Sequence, residues 1–222
     1  MGMDPGLKAK LQKQRYHIVG EHGGVKTCHW TKESLLRDRS CYKGTFYGVK
    51  SHTCMQMSPV VDQCNLACTY CWREPHMDTL ELTDQDPLDL LYESVRAQRR
   101  LLSGFGGNDK VTPEKFKEAQ DPKHVAISLN GEPTLYTKLG EYMDLCHKHG
   151  MTTMLVTNGT LPKVLESWIR FQLNSMYRLM PLTSKYSMKY VDQNGVMVRG
   201  ISLRKPSTYF QVWILESYAD IP

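Results

Sequence analysis

Three cysteines, Cys64, Cys68 and Cys71, stand in the run QCNLACTYCW with the spacing C-x3-C-x2-C. Thiolates bind soft metals and iron–sulfur clusters. A structural zinc ion takes four ligands, usually in two close pairs. No fourth cysteine follows closely here, so three sulfurs leave one coordination position open. On a four-iron cube, three thiolates leave one iron free for a substrate atom, which suits a reductive cleavage. The alternative is a zinc knuckle completed by Cys54 or by a histidine, and the triplet alone leaves it standing. Tyr70, next to Cys71, favours the cluster, because an aromatic ring there shields it and packs near a bound purine.

Cys28, Cys41 and Cys54 lie upstream, with His22, His29 and His52 among them, and Cys146 lies downstream. A reducing compartment keeps such thiols free, so metal binding leads over a disulfide framework. Cys146 shares a helical face with Leu139 and Met143, the pattern of a buried core thiol rather than a ligand. Two polar turns follow apolar runs. Asn130, Gly131, Glu132 and Pro133 come after HVAISL, and Asn158 and Gly159 after TTMLVT. Each reads as a plain turn or as a ligand-binding strand end.

The elements that position these residues follow from periodicity. MSPVV, just before the triplet, suits a buried strand. Asp86 caps a helix with Pro87 in its first turn, Leu88, Leu91, Tyr92, Val95 and Leu102 along one face, and Gly104 as its stop. A strand over 124–129, a helix over 138–149 closed by Gly150, and a strand over 152–157 come next. This alternation predicts an α/β fold with a parallel sheet and helices packed outside it. Ligands in such folds sit at the carboxyl ends of the strands, which puts the triplet and both turns on one rim. Residues 1 to about 60 are weakly periodic, predicting a loop-rich extension with a short helix near Thr31 to Leu36.

At 222 residues the chain fits one domain with appendages, and 41% hydrophobic with 23% charged residues is ordinary for a globular protein. No apolar run approaches the length that crosses a bilayer, and MGMDPGLKAKLQKQRY lacks the core of a signal peptide, so a cytoplasmic protein without membrane contact is expected. The net charge of +5 permits a polyanionic partner without requiring one.

With these motifs in hand, the chain resembles the radical S-adenosylmethionine (SAM) superfamily, whose signature is CxxxCxxC after the first barrel strand. The resemblance implies a (β/α) barrel, here recognisable only in its N-terminal half. It also implies that Cys64, Cys68 and Cys71 hold a [4Fe–4S] cluster whose open iron chelates SAM, and that electron transfer releases a 5′-deoxyadenosyl radical. SLNGEPTLY is similar to the superfamily's GGE-type motif, which contacts SAM's amino group; Gly131, Glu132 and Pro133 match, and Asn130 replaces the first glycine. Asn158 would then reach SAM's ribose.

The ordered series KQRYHIVGEHGGVKTCHW, RSCYKGTFYGV, SHTCMQMSPVV, CTYCWREP, DPKHVAISLNGEPTLY and VTNGTLP resembles the tRNA 4-demethylwyosine synthases in their short form without a flavodoxin domain. Asp121 stands where that family has glutamate. The resemblance implies a lyase that builds the tricyclic base from N1-methylguanosine-37 of tRNA-Phe and pyruvate, with SAM, two [4Fe–4S] clusters and an external electron donor. Cys28, Cys41 and Cys54, thirteen residues apart, match the second cluster's ligands, and Lys43 matches the lysine that forms an imine with pyruvate. Imine formation needs a neutral amine, so burial and a nearby cluster are expected to lower that lysine's pKa. The radical would take a hydrogen from the N-methyl group of a base extruded from the anticodon loop. Lys10, Gln12, Arg15 and Arg73 are candidate phosphate contacts, and a monomer is expected.

The resemblance ends near Glu166. The family continues with a strand like PTQLYVSVDAP, whereas this chain continues SWIRFQLNSMYRLMPLTSKYSMKYVDQNG, without a clear period. Read one base out of register, the Met176–Tyr177 junction forces valine, Met180–Pro181 forces alanine and Met188–Lys189 forces glutamate, each as the family has it. The expected organisation is an extension over 1–58, a half barrel over 59–166, and an out-of-frame tail over 167–222. Two alternatives remain: a truncated, inactive relative that gathers clusters, and a zinc-binding RNA module.

Overall fold

The computed structural model describes residues 2–68, 71, 85–161, 163–164, 187–192, 197–205 and 208–216, the last three segments by backbone. Helix α1 (Pro5–Lys13) starts where the Asp4 carboxylate accepts from Leu7 N at 2.8 Å, and Pro5 opens it without losing a helical hydrogen bond. Strands β1 (His17–Val19) and β2 (Gly23–Val25) form a hairpin, followed by α2 (His29–Arg37), α3 (Tyr42–Tyr47) and a short 3-10 turn (Ser51–Thr53). The extension is therefore richer in structure than its weak periodicity implies. The predicted helix near Thr31 is present, but α1, the hairpin and α3 are too short to show a period.

Strand β3 (Cys54–Ser58) starts earlier than MSPVV, whose Val60 and Val61 are buried in the following loop. Helix α4 (Pro87–Leu102) is capped by Asp86 as expected, with Asp86 Oδ1 accepting from Leu88 N and Asp89 N. Its inward face differs from the expectation. Leu88 and Tyr92 are exposed, whereas Leu90, Leu91, Ser94, Ala97, Gln98 and Leu102 are buried. The Gln98 amide nitrogen donates to Cys54 O at 3.5 Å, while its Oε1 is buried without a partner. Helix α5 (Pro113–Ala119), not expected from the sequence, is capped by Thr112 Oγ1, which accepts from Lys115 N. Strand β4 (His124–Ile127), α6 (Leu139–Lys148) and β5 (Thr152–Thr157) fall where periodicity placed them.

Backbone pairing adds β6 (Ser187–Asp192), β7 (Met197–Lys205) and β8 (Thr208–Glu216), from the part of the chain where no period was legible. One sheet runs β1-β2-β3-β4-β5-β8-β7-β6. Its centre is parallel (β3, β4, β5, β8), and both flanks are antiparallel.

Side chains alternate across a strand, so the sheet has two different faces. Met55, Met57, Val125, Ile127 and Leu155 join Leu90, Leu91, Ala97, Leu139, Tyr142, Met143 and Cys146 in the main core. Cys146 is thus the core thiol expected, its pKa pushed up to about 12 by burial. The opposite face carries Cys54, Ala126 and Met154. Among the described residues, no helix is long and apolar enough to cross a membrane.

Candidate functional site

The loops after β3, β4 and β5 meet at one rim. Asn130 Nδ2 donates to Val61 O at 2.7 Å, and Glu132 N donates to Gln63 O at 2.8 Å. Between them Gly131 has φ +78°, and a Cβ there would lie 1.8 Å from the Val60 carbonyl oxygen. Glycine is needed both for the left-handed backbone and for this close approach. The NGEP turn therefore grips the chain leading into Cys64, with Pro133 buried in a 3-10 turn (Pro133–Leu135).

The Glu132 carboxylate, 2% exposed, is surrounded by protein donors. Oε1 accepts from Thr134 N (3.0 Å), Thr134 Oγ1 (2.5 Å) and Thr157 Oγ1 (2.6 Å), and Oε2 accepts from Asn158 N (2.7 Å). It ties the ends of β4 and β5 together. Asn158 in turn faces the triplet, its Nδ2 2.8 Å from Asn65 Oδ1 and 4.0 Å from Cys64 Sγ.

Cys64 and Cys68 are half-buried, Cys71 is exposed, and Cys71 N donates to Cys68 O at 3.0 Å. Burial pushes the Cys64 thiol up, a hydrogen bond from the Leu66 backbone opposes this, and the charges of Glu132, Cys68 and Cys71 add to the rise. Three cysteine sulfurs on one loop, one of them with a backbone N–H aimed at it, suit the ligation of an iron–sulfur cluster. Tyr70 and Arg73 lie outside the described residues.

The other three cysteines also converge. Cys28 precedes α2, Cys41 precedes α3, and Cys54 opens β3. All three line a cavity of about 210 Å³ on the sheet face away from the main core, with Lys43, Tyr42 and Gln56. Lys43 Nζ lies 3.4 Å from Cys54 Sγ, and Ser51 Oγ lies 3.4 Å from Cys41 Sγ while accepting from Cys41 N. Burial pushes the Cys54 thiol up, partly offset by the Lys43 charge. Donors aimed at sulfur fit a thiolate-ligated group here as well. Among the described residues, no three His, Cys, Asp or Glu side chains converge as ligands of a single ion.

Lys43 is buried beside Cys54. Burial works to lower its pKa, but the charges of Cys54, Tyr42 and Cys41 and the Cys54 hydrogen bond outweigh it, and the net shift is upward. His124, the register partner of Cys54, was not singled out from sequence. Its Nδ1 bonds Thr152 Oγ1 at 2.6 Å, its Nε2 is buried without a partner, and burial followed by the Lys43 charge lowers its pKa to about 3. A larger cavity, about 790 Å³, opens at the amino ends of the strands among Lys50, Glu118 and Lys123.

Residues 58–177 match the Radical SAM superfamily, a span containing the triplet and both turns. The S-adenosyl-L-methionine-dependent tRNA 4-demethylwyosine synthase of Pyrococcus abyssi is 51% identical over 165 residues, which are 72% of this chain and 48% of that protein. The enzyme of the same name from Methanocaldococcus jannaschii is 44% identical over 165 residues, 70% of this chain and 52% of that one. A solved structure of TYW1 with a lysine–pyruvate adduct bound superposes with a TM-score of 0.67 at 39% identity, covering 75% of this chain and 55% of that chain. A crystal structure of archaeal TYW1 gives 0.62 at 40% identity, covering 74% and 56%. The chain spans about half the length of these relatives. It belongs to the radical SAM superfamily, a membership that implies a [4Fe–4S] cluster and SAM, and within that superfamily its similarity lies with the tRNA 4-demethylwyosine synthases.

Proposed function

We propose that the chain is a radical SAM enzyme of wyosine biosynthesis, acting on N1-methylguanosine-37 in the anticodon loop of tRNA-Phe and on pyruvate. The observation that carries this reading is the convergence of Lys43 with Cys28, Cys41 and Cys54 in one cavity, beside the strand that leads to the triplet. Cys64, Cys68 and Cys71 hold the cluster that binds SAM, and Cys28, Cys41 and Cys54 hold a second. Bound together, the first cluster and SAM supply a 5′-deoxyadenosyl radical for hydrogen abstraction from the N-methyl group. The Asn130–Pro133 turn and Asn158 border SAM. Because the Glu132 carboxylate is already engaged by four protein donors, the turn acts chiefly through its backbone.

Lys43 attacks the pyruvate carbonyl carbon, and loss of water leaves an imine. Its amine must first give up a proton, which its burial favours and the neighbouring thiols oppose. The TYW1 structure with a lysine–pyruvate adduct supports this role. Cys54 opens strand β3 and the triplet follows its far end, so the two cysteine groups flank one strand. A base flipped from the anticodon loop would fit between them. Lys10, Gln12, Arg15 and Arg73 contribute phosphate contacts to a monomeric, cytoplasmic enzyme that takes its electron from an external donor.

A second reading rests on the loss of the family pattern after Glu166: a relative that gathers clusters without completing the chemistry. Its basis is the division into 1–58, 59–166 and an out-of-frame tail from 167. Coding sequence around codon 166 whose offset frame lacks the family strand would remove that basis. The direct test is anaerobic incubation with N1-methylguanosine-bearing tRNA-Phe, SAM, pyruvate and reductant, followed by mass spectrometry of the nucleosides. Formation of 4-demethylwyosine supports the first reading. Bound iron without SAM cleavage or product supports the second. Stoichiometric zinc and no iron would discard both and leave a zinc-binding RNA module.

A further inference from the structure

A closed ring of side chains joins the triplet loop to the end of β5. Asn158 Nδ2 donates to Asn65 Oδ1 (2.8 Å), Asn65 Nδ2 donates to Thr160 Oγ1 (2.6 Å), and Thr160 Oγ1 donates to Asn158 Oδ1 (2.7 Å). Each side chain donates once and accepts once around the ring. Turning both amides over would reverse its direction at little cost. One backbone group forbids this: Thr160 N donates to Asn158 Oδ1 at 3.1 Å, so an acceptor must sit there. The amide nitrogen of Asn158, not its oxygen, is thereby turned toward Cys64 Sγ at 4.0 Å, the outer reach of an N–H···S bond. The Asn158 backbone is fixed as well, because its own N–H is held by Glu132 Oε2.

We propose that Asn158 positions the Cys64 sulfur and sets the reduction potential of the centre held by Cys64, Cys68 and Cys71, with Asn65 and Thr160 fixing the direction of its amide. The inference rests on reading the triplet as cluster ligands. A donor on a ligating sulfur stabilises added negative charge, so it favours the reduced cluster and raises its potential. One amide hydrogen is taken by Asn65 and the amide oxygen by Thr160, which leaves the other hydrogen on the Cys64 side. This assigns the side chain to Cys64 in preference to the ribose of SAM.

The test is an EPR-monitored redox titration of the anaerobically reconstituted full chain, using the signal that changes on adding SAM to pick out the triplet's cluster. At a fixed potential near the midpoint, Asn158→Leu is expected to lower the reduced-to-oxidised ratio about tenfold, a shift of about 59 mV for one electron. Thr160→Val opens the ring and shifts the midpoint less, in the same direction. Thr160→Ser keeps the hydroxyl and the midpoint. If Asn158→Leu fails to hold its cluster, Thr160→Val alone decides. Unchanged midpoints in the variants that retain the cluster overturn the proposal. Absence of any iron on the unaltered chain fails the cluster reading itself, an outcome distinct from equal potentials on a loaded cluster.

Discussion

Replacing Gly131 with alanine puts the rim architecture to a direct test, because Gly150 provides a matched control. Both residues have positive φ, +78° and +73°, so both substitutions incur the left-handed strain of an L-residue, about 1–2 kcal/mol. They differ in surroundings. A Cβ at Gly150 meets nothing within 4 Å, whereas one at Gly131 falls 1.8 Å from Val60 O and 2.7 Å from Gln63 O. Both obstructing atoms are backbone, and Gln63 O also receives the Glu132 N–H. The alanine can be accommodated only by pushing the loop before Cys64 off the NGEP turn, which breaks that bond and displaces the Asn130 amide from Val61 O. Adding these losses to the strain gives a cost of about 4 kcal/mol or more, in the range reserved for severe core defects. For a chain of this size each kcal/mol moves Tm by roughly 2–4 °C. Gly150→Ala should therefore lose only a few degrees, and Gly131→Ala more than about 8 °C together with iron retention at the triplet. Thermal denaturation of the two variants side by side checks this. Equal losses in the two would refute the close approach of the turn to the cysteine loop.

Acid stability and imine chemistry test other parts of the account. His124 and His147 have pKa values lowered by burial to about 3 and about 4, so the stability they confer is present above pH 6.5 and is lost as pH falls toward those values. Each contributes a slope of about 1.4 kcal/mol per pH unit. Urea unfolding between pH 6 and 5 should show His124→Asn with that much less slope, and an unchanged slope would mean that His124 is not buried neutral. His22, raised chiefly by its hydrogen bond to Asp62, acts in the opposite sense and loses its contribution only as pH rises above 6.5, so it leaves that window undisturbed. Borohydride treatment with pyruvate should place a reduced adduct on the peptide containing Lys43 and leave Lys43→Arg unlabelled; equal labelling of both proteins would mean that surface lysines carry the adduct.

The rim was legible in the sequence because its parts are local. Cys64, Cys68 and Cys71 lie within eight residues, and the Asn130 and Asn158 turns each close a strand with a clear apolar run. What the turns do to each other was not legible. That Glu132 is held by Thr134, Thr157 and Asn158, and that Asn65 closes a ring with Thr160, depends on three strand ends meeting in space. The cavity shared by Cys28, Cys41, Cys54 and Lys43 was expected only through family resemblance, since thirteen-residue gaps carry no period. Helix α4 shows the limit of pattern reading on a helix. The apolar pattern points Leu88 and Tyr92 inward, but packing against β3 turns Ser94 and Gln98 inward instead. The upward shift of Lys43 has a similar origin, because the sequence places one cysteine two residues away and only the fold brings the Cys54 sulfur to 3.4 Å.

The central claim is that two separate cysteine triads each hold a [4Fe–4S] cluster. Iron per chain after anaerobic reconstitution measures it most directly, in the unaltered protein and in two variants carrying Cys64→Ala, Cys68→Ala, Cys71→Ala or Cys28→Ala, Cys41→Ala, Cys54→Ala. The account predicts about eight irons in the unaltered chain and about four in either variant, with SAM cleavage lost only when the first triad is removed. Zinc in place of iron, or an iron content that neither variant lowers, would contradict it.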